Sequence, residues 1–221
     1  TTEPGMTVAA LLLRSATTEG KAPAVIFLGE TDKQEVRGDA RAQELLDDGY
    51  CVLALDTRGM GETAGKYPQN QIVSNGVHLG RPLFAQRVWD VLQAAHYLAT
   101  RPDIAPDRLG CIGLGPSGVL ALYAAALSDR FEEVEAVRPL ASFRYFIEND
   151  QPQPLWLCVP NILKVADVAQ AAALAAPAAV TIAGAVGYGK EPLEPAAAHQ
   201  EFSYATSVHG FAGSPARFTL R

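Results

Sequence analysis

Short runs of purely apolar residues, each followed by a stretch long enough for a helix, constrain this chain more than any other feature. Ala24-Val-Ile-Phe-Leu28 is one such run, Tyr50-Cys-Val-Leu-Ala-Leu55 the next, and Arg108–Leu114 a third after its first residue. A strand with no polar side chain on either side must be covered on both faces, which is the setting of a parallel sheet. Asp39–Leu46 places Ala40, Ala42, Leu45 and Leu46 on a partly apolar helical face and ends at Gly49. Phe84–Thr100 reads as a helix stopped by Pro102, and Pro116–Leu127 as another. Thr7–Arg14, Val134–Ala141, Ala179–Val186 and Arg217–Arg221 read as further strands, with Ile162–Leu174 and Pro195–Gly210 as helices. Lys66–Pro82 carries Pro, Asn and Gly without a period and reads as a long loop. Phe143–Pro160 reads as irregular. The alternation predicts an α/β fold, a mostly parallel sheet with helices on both faces, in a single domain over residues 1–221.

Charge and length narrow the partners. Lys and Arg total 18 against 24 Asp and Glu, a net charge of -6 with no basic cluster, which argues against nucleic acid. No apolar run approaches the length of a membrane span. Cys51 and Cys111 fall inside strands and Cys158 in a later apolar segment. None has metal-ligand spacing, so all three read as small core residues and no metal or cofactor is expected. The chain begins with Thr1 and shows no signal peptide. With its stop at Arg221, this suits a domain of a longer protein.

The segment Arg108-Leu-Gly-Cys-Ile-Gly113-Leu-Gly115-Pro-Ser117-Gly118 reads as a buried strand, a sharp turn and a helix start. A strand–turn–helix of the form G-x-S-x-G presents its central serine as a nucleophile. Aligned on the glycines, Gly113 takes the first place, Gly115 the nucleophile slot, and Ser117 the place of the last glycine. The slot has no side chain to attack with. Ser117 is the fallback nucleophile. Its plainer reading is close packing where the motif has glycine, or a helix cap.

Around this turn the chain resembles the α/β-hydrolase family. Ala22–Gly29, Ala40–Gly49 and Tyr50-Cys-Val-Leu-Ala-Leu-Asp56-Thr-Arg58-Gly59-Met-Gly61 look like its strand–oxyanion loop–helix–strand opening. The helix from Arg87 and the lead-in Arg101-Pro-Asp-Ile-Ala-Pro-Asp107-Arg108-Leu-Gly110 are similar to the acetyl xylan esterase and prolyl-oligopeptidase-like branch. The resemblance implies an α/β-hydrolase fold and, in active members, a serine esterase or peptidase. It leaves the nucleophile position at Gly115 empty. It puts the acid after Ala179–Val186, where the chain reads Gly187-Tyr-Gly-Lys190-Glu191, and the base histidine after the strand in which the chain stops. The oxyanion loop would be Gly29-Glu30-Thr31, whose backbone N–H groups could line a hole.

Other residues could serve a cleft. Asp56 and Arg58 sit at a strand's carboxyl end, the functional edge of such sheets, although a structural ion pair or a turn suits them better. His78 lies in the long loop, which could cover a cleft. His96, His199 and His209 read as solvated or helix-edge imidazoles. Gly113-x-Gly115-x-x-Gly118 also spells a dinucleotide fingerprint. It comes late in the chain, lacks an acid at the end of the next strand, and has Pro116 where a helix-start N–H would face the pyrophosphate.

The sequence therefore predicts a non-catalytic module related to acetyl xylan esterases, with a structural, interaction or carbohydrate-associated role. Gly29, Glu30, Thr31, Asp56, Arg58, His78 and Pro116 are its cleft candidates, a carbohydrate ester its candidate ligand, and a companion catalytic domain or a homo-oligomer its candidate partner. The alternatives are an active carboxylesterase using Ser117 or residues from another domain, and a dinucleotide-binding domain.

Overall fold

The computed structural model describes residues 1–16, 20–149, 154–212 and 217–221. Among the described residues, seven strands form one sheet: β1 (Ala10–Arg14), β2 (Ala22–Leu28), β3 (Cys51–Leu55), β4 (Ile104–Leu114), β5 (Phe131–Val137), β6 (Ala179–Ala183) and β7 (Phe218–Leu220). Their order is β1-β3-β2-β4-β5-β6-β7. Only β1 runs antiparallel to its neighbour, with Leu12 opposite Leu53; every other pair is parallel. The helices are α1 (Ala40–Asp47), α2 (Gln69–His78), α3 (Leu83–Thr100), α4 (Pro116–Ala126), α5 (Arg144–Glu148), α6 (Val168–Leu174), α7 (Pro195–Glu201) and α8 (Ser203–Phe211).

Strand alternation sorts the core into two layers. Ala24, Ile26 and Leu28 of β2 point to one face, where α3, α4 and α6 bury Val91, Leu98, Leu120, Leu122 and Val168. Val25 and Phe27 point to the other, where α1 supplies Ala42 and Leu45. Both faces thus carry helices. The coverage is unequal: β5 buries Val134 and Ala136 but turns Glu133 and Glu135 to the thin side, where Glu135 pairs with Arg221 at 2.8 Å. So β5 is buried on one face only and ends at Val137, before the reading that carried it to Ala141.

Three other readings are corrected. Lys66–Pro82 is not a continuous loop: Gln69–His78 is α2, a helix that buries little beyond Val73 and Gly76 and so shows no apolar period. Ile162–Leu174 divides into a single 3-10 turn at Ile162–Lys164 and α6. Asp167 caps α6, with its side chain accepting from the Val168 N–H and Gln170 returning to the Asp167 N–H. Pro195–Gly210 breaks at Phe202, a fully buried core residue that separates α7 from α8. Among the described residues, no single helix is long and apolar enough to cross a membrane.

Candidate functional site

The site is built at the carboxyl end of β4. The chain leaves that strand and enters α4 through one residue, Gly115, held at φ 53°, ψ -130°. That backbone is strained for any residue with a Cβ. The flanking glycines serve close approach. A Cβ on Gly113 would collide with the Ser117 carbonyl, and one on Gly118 would lie 3.1 Å from the Ala136 Cβ. Their packing role accounts for the spacing that also spells the dinucleotide fingerprint, and β5 leads into Arg138 rather than an acid.

Glu30, in the loop after β2, lies over the apex. A Cβ on Gly115 would stand 3.0 Å from both Cδ and Oε2 of Glu30. The carboxylate end of an exposed side chain thus stands beside the space a nucleophile's side chain would use. The donors of an oxyanion hole are also committed. Pro116 is the first residue of α4 and has no N–H. The Glu30 N–H donates to Glu35 Oε2 at 2.7 Å, and the Thr31 N–H to Glu35 Oε1 at 3.1 Å. The Thr31 hydroxyl bonds the same carboxylate. Ser117 is 1% exposed, and its Oγ donates to the Gly29 carbonyl at 2.8 Å. It ties the start of α4 to the end of β2 and does not face the cleft.

A cleft of about 200 Å³ opens at this apex, lined by Glu30, Gly115, Pro116, Arg138, Leu157 and Lys190 among others. Arg138 and Lys190 both take positive φ, 53° and 63°, and the Arg138 Nη2 donates to the Lys190 carbonyl at 3.2 Å. Lys190 Nζ lies 4.0 Å from Glu30 Oε1. The mouth therefore carries two cations and one carboxylate, suited to holding a small polar or anionic molecule. A groove continues from it past Thr31, Pro154 and Trp156.

Of the residues singled out in the sequence, Glu30, Thr31, Gly115 and Pro116 come together at the cleft, with Gly29 behind them. Asp56 and Arg58 do not line it. Asp56 is fully buried and accepts from the Lys33 N–H at 2.6 Å and Lys33 Nζ at 2.8 Å. Its bond, with a second from Glu62, holds the Lys33 ammonium above the ordinary lysine value. Arg58 pairs with buried Asp90, Nη2 to Oδ1 at 2.6 Å, and with Glu3. Burial pulls its guanidinium down, and the bonds to Asp90 and Glu3 more than offset this. Both residues are structural pins, each with a partner the spacing did not name. His78 ends α2 on the wall of a different cavity. His209 is fully buried rather than solvated, with Nε2 3.1 Å from the Ala172 carbonyl and its ring against Phe218. Glu191 is exposed outside the cleft lining.

Sequence reasoning missed Arg138, Lys190 and Leu157. The one available signal was position: Lys190 follows β6 in the loop already marked as belonging to the site. It also missed Arg87, fully buried on α3 with its guanidinium 4.4 Å from the Trp156 ring centre and bonded to the Arg58 and Gly59 carbonyls. Burial lowers its pKa to about 10.

Comparison with known proteins gives the family and the fold. The family model described as acetyl xylan esterase (AXE1) matches residues 2–174. The chain is 32% identical over 136 residues to YtaP of Bacillus subtilis, a protein with a hydrolase name, covering 56% of this chain and 45% of that one. It is 28% identical over 144 residues to the thiohydrolase aneE of Aspergillus aculeatus, covering 63% and 42%. The chain thus spans under half the length of either relative. Among solved structures, a Bacteroides fragilis protein described as of acetyl xylan esterase type superposes with a TM-score of 0.82 at 13% identity, over 100% of this chain and 64% of that one. The acetyl xylan esterase of Paenibacillus sp. R4 superposes at 0.68 and 18%, over 97% and 72%. These likenesses show the α/β-hydrolase fold, and the family match places the chain by sequence: it belongs to the acetyl xylan esterase (AXE1) family.

Proposed function

We propose that this chain is a non-catalytic member of its family, a ligand-binding or interaction module built on an esterase scaffold. One observation carries the reading: the Glu30 carboxylate lies over a glycine at the apex where the fold otherwise presents its nucleophile. Acyl transfer needs an attacking atom and a positive or N–H-lined pocket for the oxyanion that develops. Here the apex has no attacking atom, a negative charge stands beside it, Pro116 has no N–H to offer, and Glu35 accepts the N–H groups of Glu30 and Thr31. The cleft that remains suits a small ligand held by Arg138 and Lys190, and the family name makes a carbohydrate ester the first candidate. A companion catalytic domain is the first candidate partner.

The hydrolase names of the relatives favour a second reading, an esterase using Ser117 or residues from another domain. In that case the Ser117 hydroxyl must leave the Gly29 carbonyl. The non-catalytic reading and a Ser117 esterase separate on treatment of the native chain with a serine-reactive fluorophosphonate, followed by mass spectrometry. The expected result is no adduct above that on the denatured chain. A stoichiometric adduct on Ser117 in the native chain alone would overturn the non-catalytic reading.

A further inference from the structure

A second cavity, of about 750 Å³, lies outside the cleft between α2, α5 and the turns at Leu155–Leu157 and Ile162–Lys164. Its size falls within the roughly 300–1,000 Å³ of small-molecule sites. Val77, Phe146, Leu155 and Ile162 dominate its wall. Ile147 is 72% exposed and Leu163 40% exposed at its margin, apolar surface that costs free energy in water. The charge around it is one-sided. Lys164 and His78 line it and, among the described residues, no Asp or Glu does, in a chain with 24 acidic residues against 18 basic ones. Lys164 is exposed, and among the described residues no ion pair engages it. An apolar wall with the Lys164 ammonium and the His78 imidazole at its edge complements an amphiphile with a negative head.

We propose that this cavity binds a monocarboxylic acid with a hydrocarbon tail, the tail against Val77, Phe146 and Ile162 and the carboxylate beside Lys164 and His78. The site is independent of the reading of the cleft. Leu155 and Cys158 face the cavity, whereas Pro154 and Leu157 face the cleft, so one turn of chain forms a wall of each. Cys158 supplies a local reporter, because Cys51 and Cys111 are sealed in the sheet and Cys158 is only half-buried.

The test uses decanoate as the probe, by calorimetry and by the rate at which a maleimide labels Cys158. The native chain is expected to bind decanoate saturably with one site per chain, and binding is expected to slow the labelling. Decylamine should bind about threefold or more weakly than decanoate, and Lys164→Glu should weaken decanoate by a similar factor, the scale of an exposed charge contact. Val77→Trp, which fills the cavity, should weaken binding by about tenfold or more. Lys164→Glu changes an exposed side chain, so its result stands even if Val77→Trp fails to fold. The proposal is overturned by lack of saturable binding, by binding that leaves Cys158 labelling unchanged, or by decylamine binding as well as decanoate. It is also overturned if the native chain self-associates and Val77→Trp abolishes that, because the cavity is then an interface with a second copy.

Discussion

The carboxylate of Glu30 lies 3.0 Å from the point at which a side chain on Gly115 would begin. These two residues come from the ends of neighbouring parallel strands, β2 and β4, and their approach defines the chemistry of the cleft. Glycine leaves room for the carboxylate, which stands at the edge of the space that glycine leaves.

Restoring a serine at the apex tests that relationship. Gly115→Ser places a Cβ at φ 53° and against Glu30, and is expected to destabilise the chain by about 1–2 kcal/mol, a loss of several degrees in Tm. Ester turnover should stay at background. Neither His78 nor His209 lines the cleft, and a serine without an adjacent base is a weak nucleophile. Tm and turnover are measured on the same preparation. Robust turnover from this one change would mean a base is already in position.

Ser117 has a structural task, and its removal should read as one. Ser117→Ala loses the bond to the Gly29 carbonyl and is expected to cost about 1 kcal/mol in urea unfolding. A change in stability well below that would show the bond contributes little.

Much of the fold was legible because burial leaves its mark on composition. The all-apolar runs at β2 and β3 and the stripe of α3 gave those elements to within about two residues, the usual uncertainty at element ends. Helix α2 was hidden because Asn70, Ser74, Asn75 and Gly76 break its apolar period while only Val73 and Gly76 are buried. The glycine at the turn apex was readable, since the turn is local in sequence. Glu30 over Gly115, Glu35 on the Glu30 and Thr31 N–H groups, and Lys190 beside Glu30 were not. Each is a contact between residues whose separate sequence neighbourhoods look like ordinary polar loop. Asp90 and Arg87 gave one overlooked signal: charged residues inside the buried stripe of α3 require partners, and those partners hold the loop after β3.

The Lys33–Asp56 pair is buried on both sides, at 7% and 0% side-chain exposure, and should behave as a pair. Lys33→Met is expected to cost about 3 kcal/mol or more, because buried Asp56 is left without its counter-charge. Asp56→Asn should cost less, because Glu62 still pairs with Lys33. The double change should cost less than the sum of the two, measured by urea unfolding. Additive losses would show that the two groups act separately.

Asp103 gives a pH signature. Bonds from Arg101 hold its carboxyl below the ordinary aspartate value, with Arg14 adding to this. A lowered folded-state pKa contributes stability above the unfolded value of about 3.9 and loses it as pH falls through the folded value. Tm should therefore fall as pH drops below about 4, and Asp103→Asn should flatten that part of the curve. An unchanged acid limb in Asp103→Asn would assign the dependence to other carboxylates.

The most direct test is the rate of p-nitrophenyl acetate hydrolysis by the native chain beside Ser117→Ala and an unrelated protein of similar surface composition. The expected result is three equal background rates with no burst. A burst of p-nitrophenol or sustained turnover from the native chain, abolished in Ser117→Ala, would contradict the assignment of this elbow as non-catalytic.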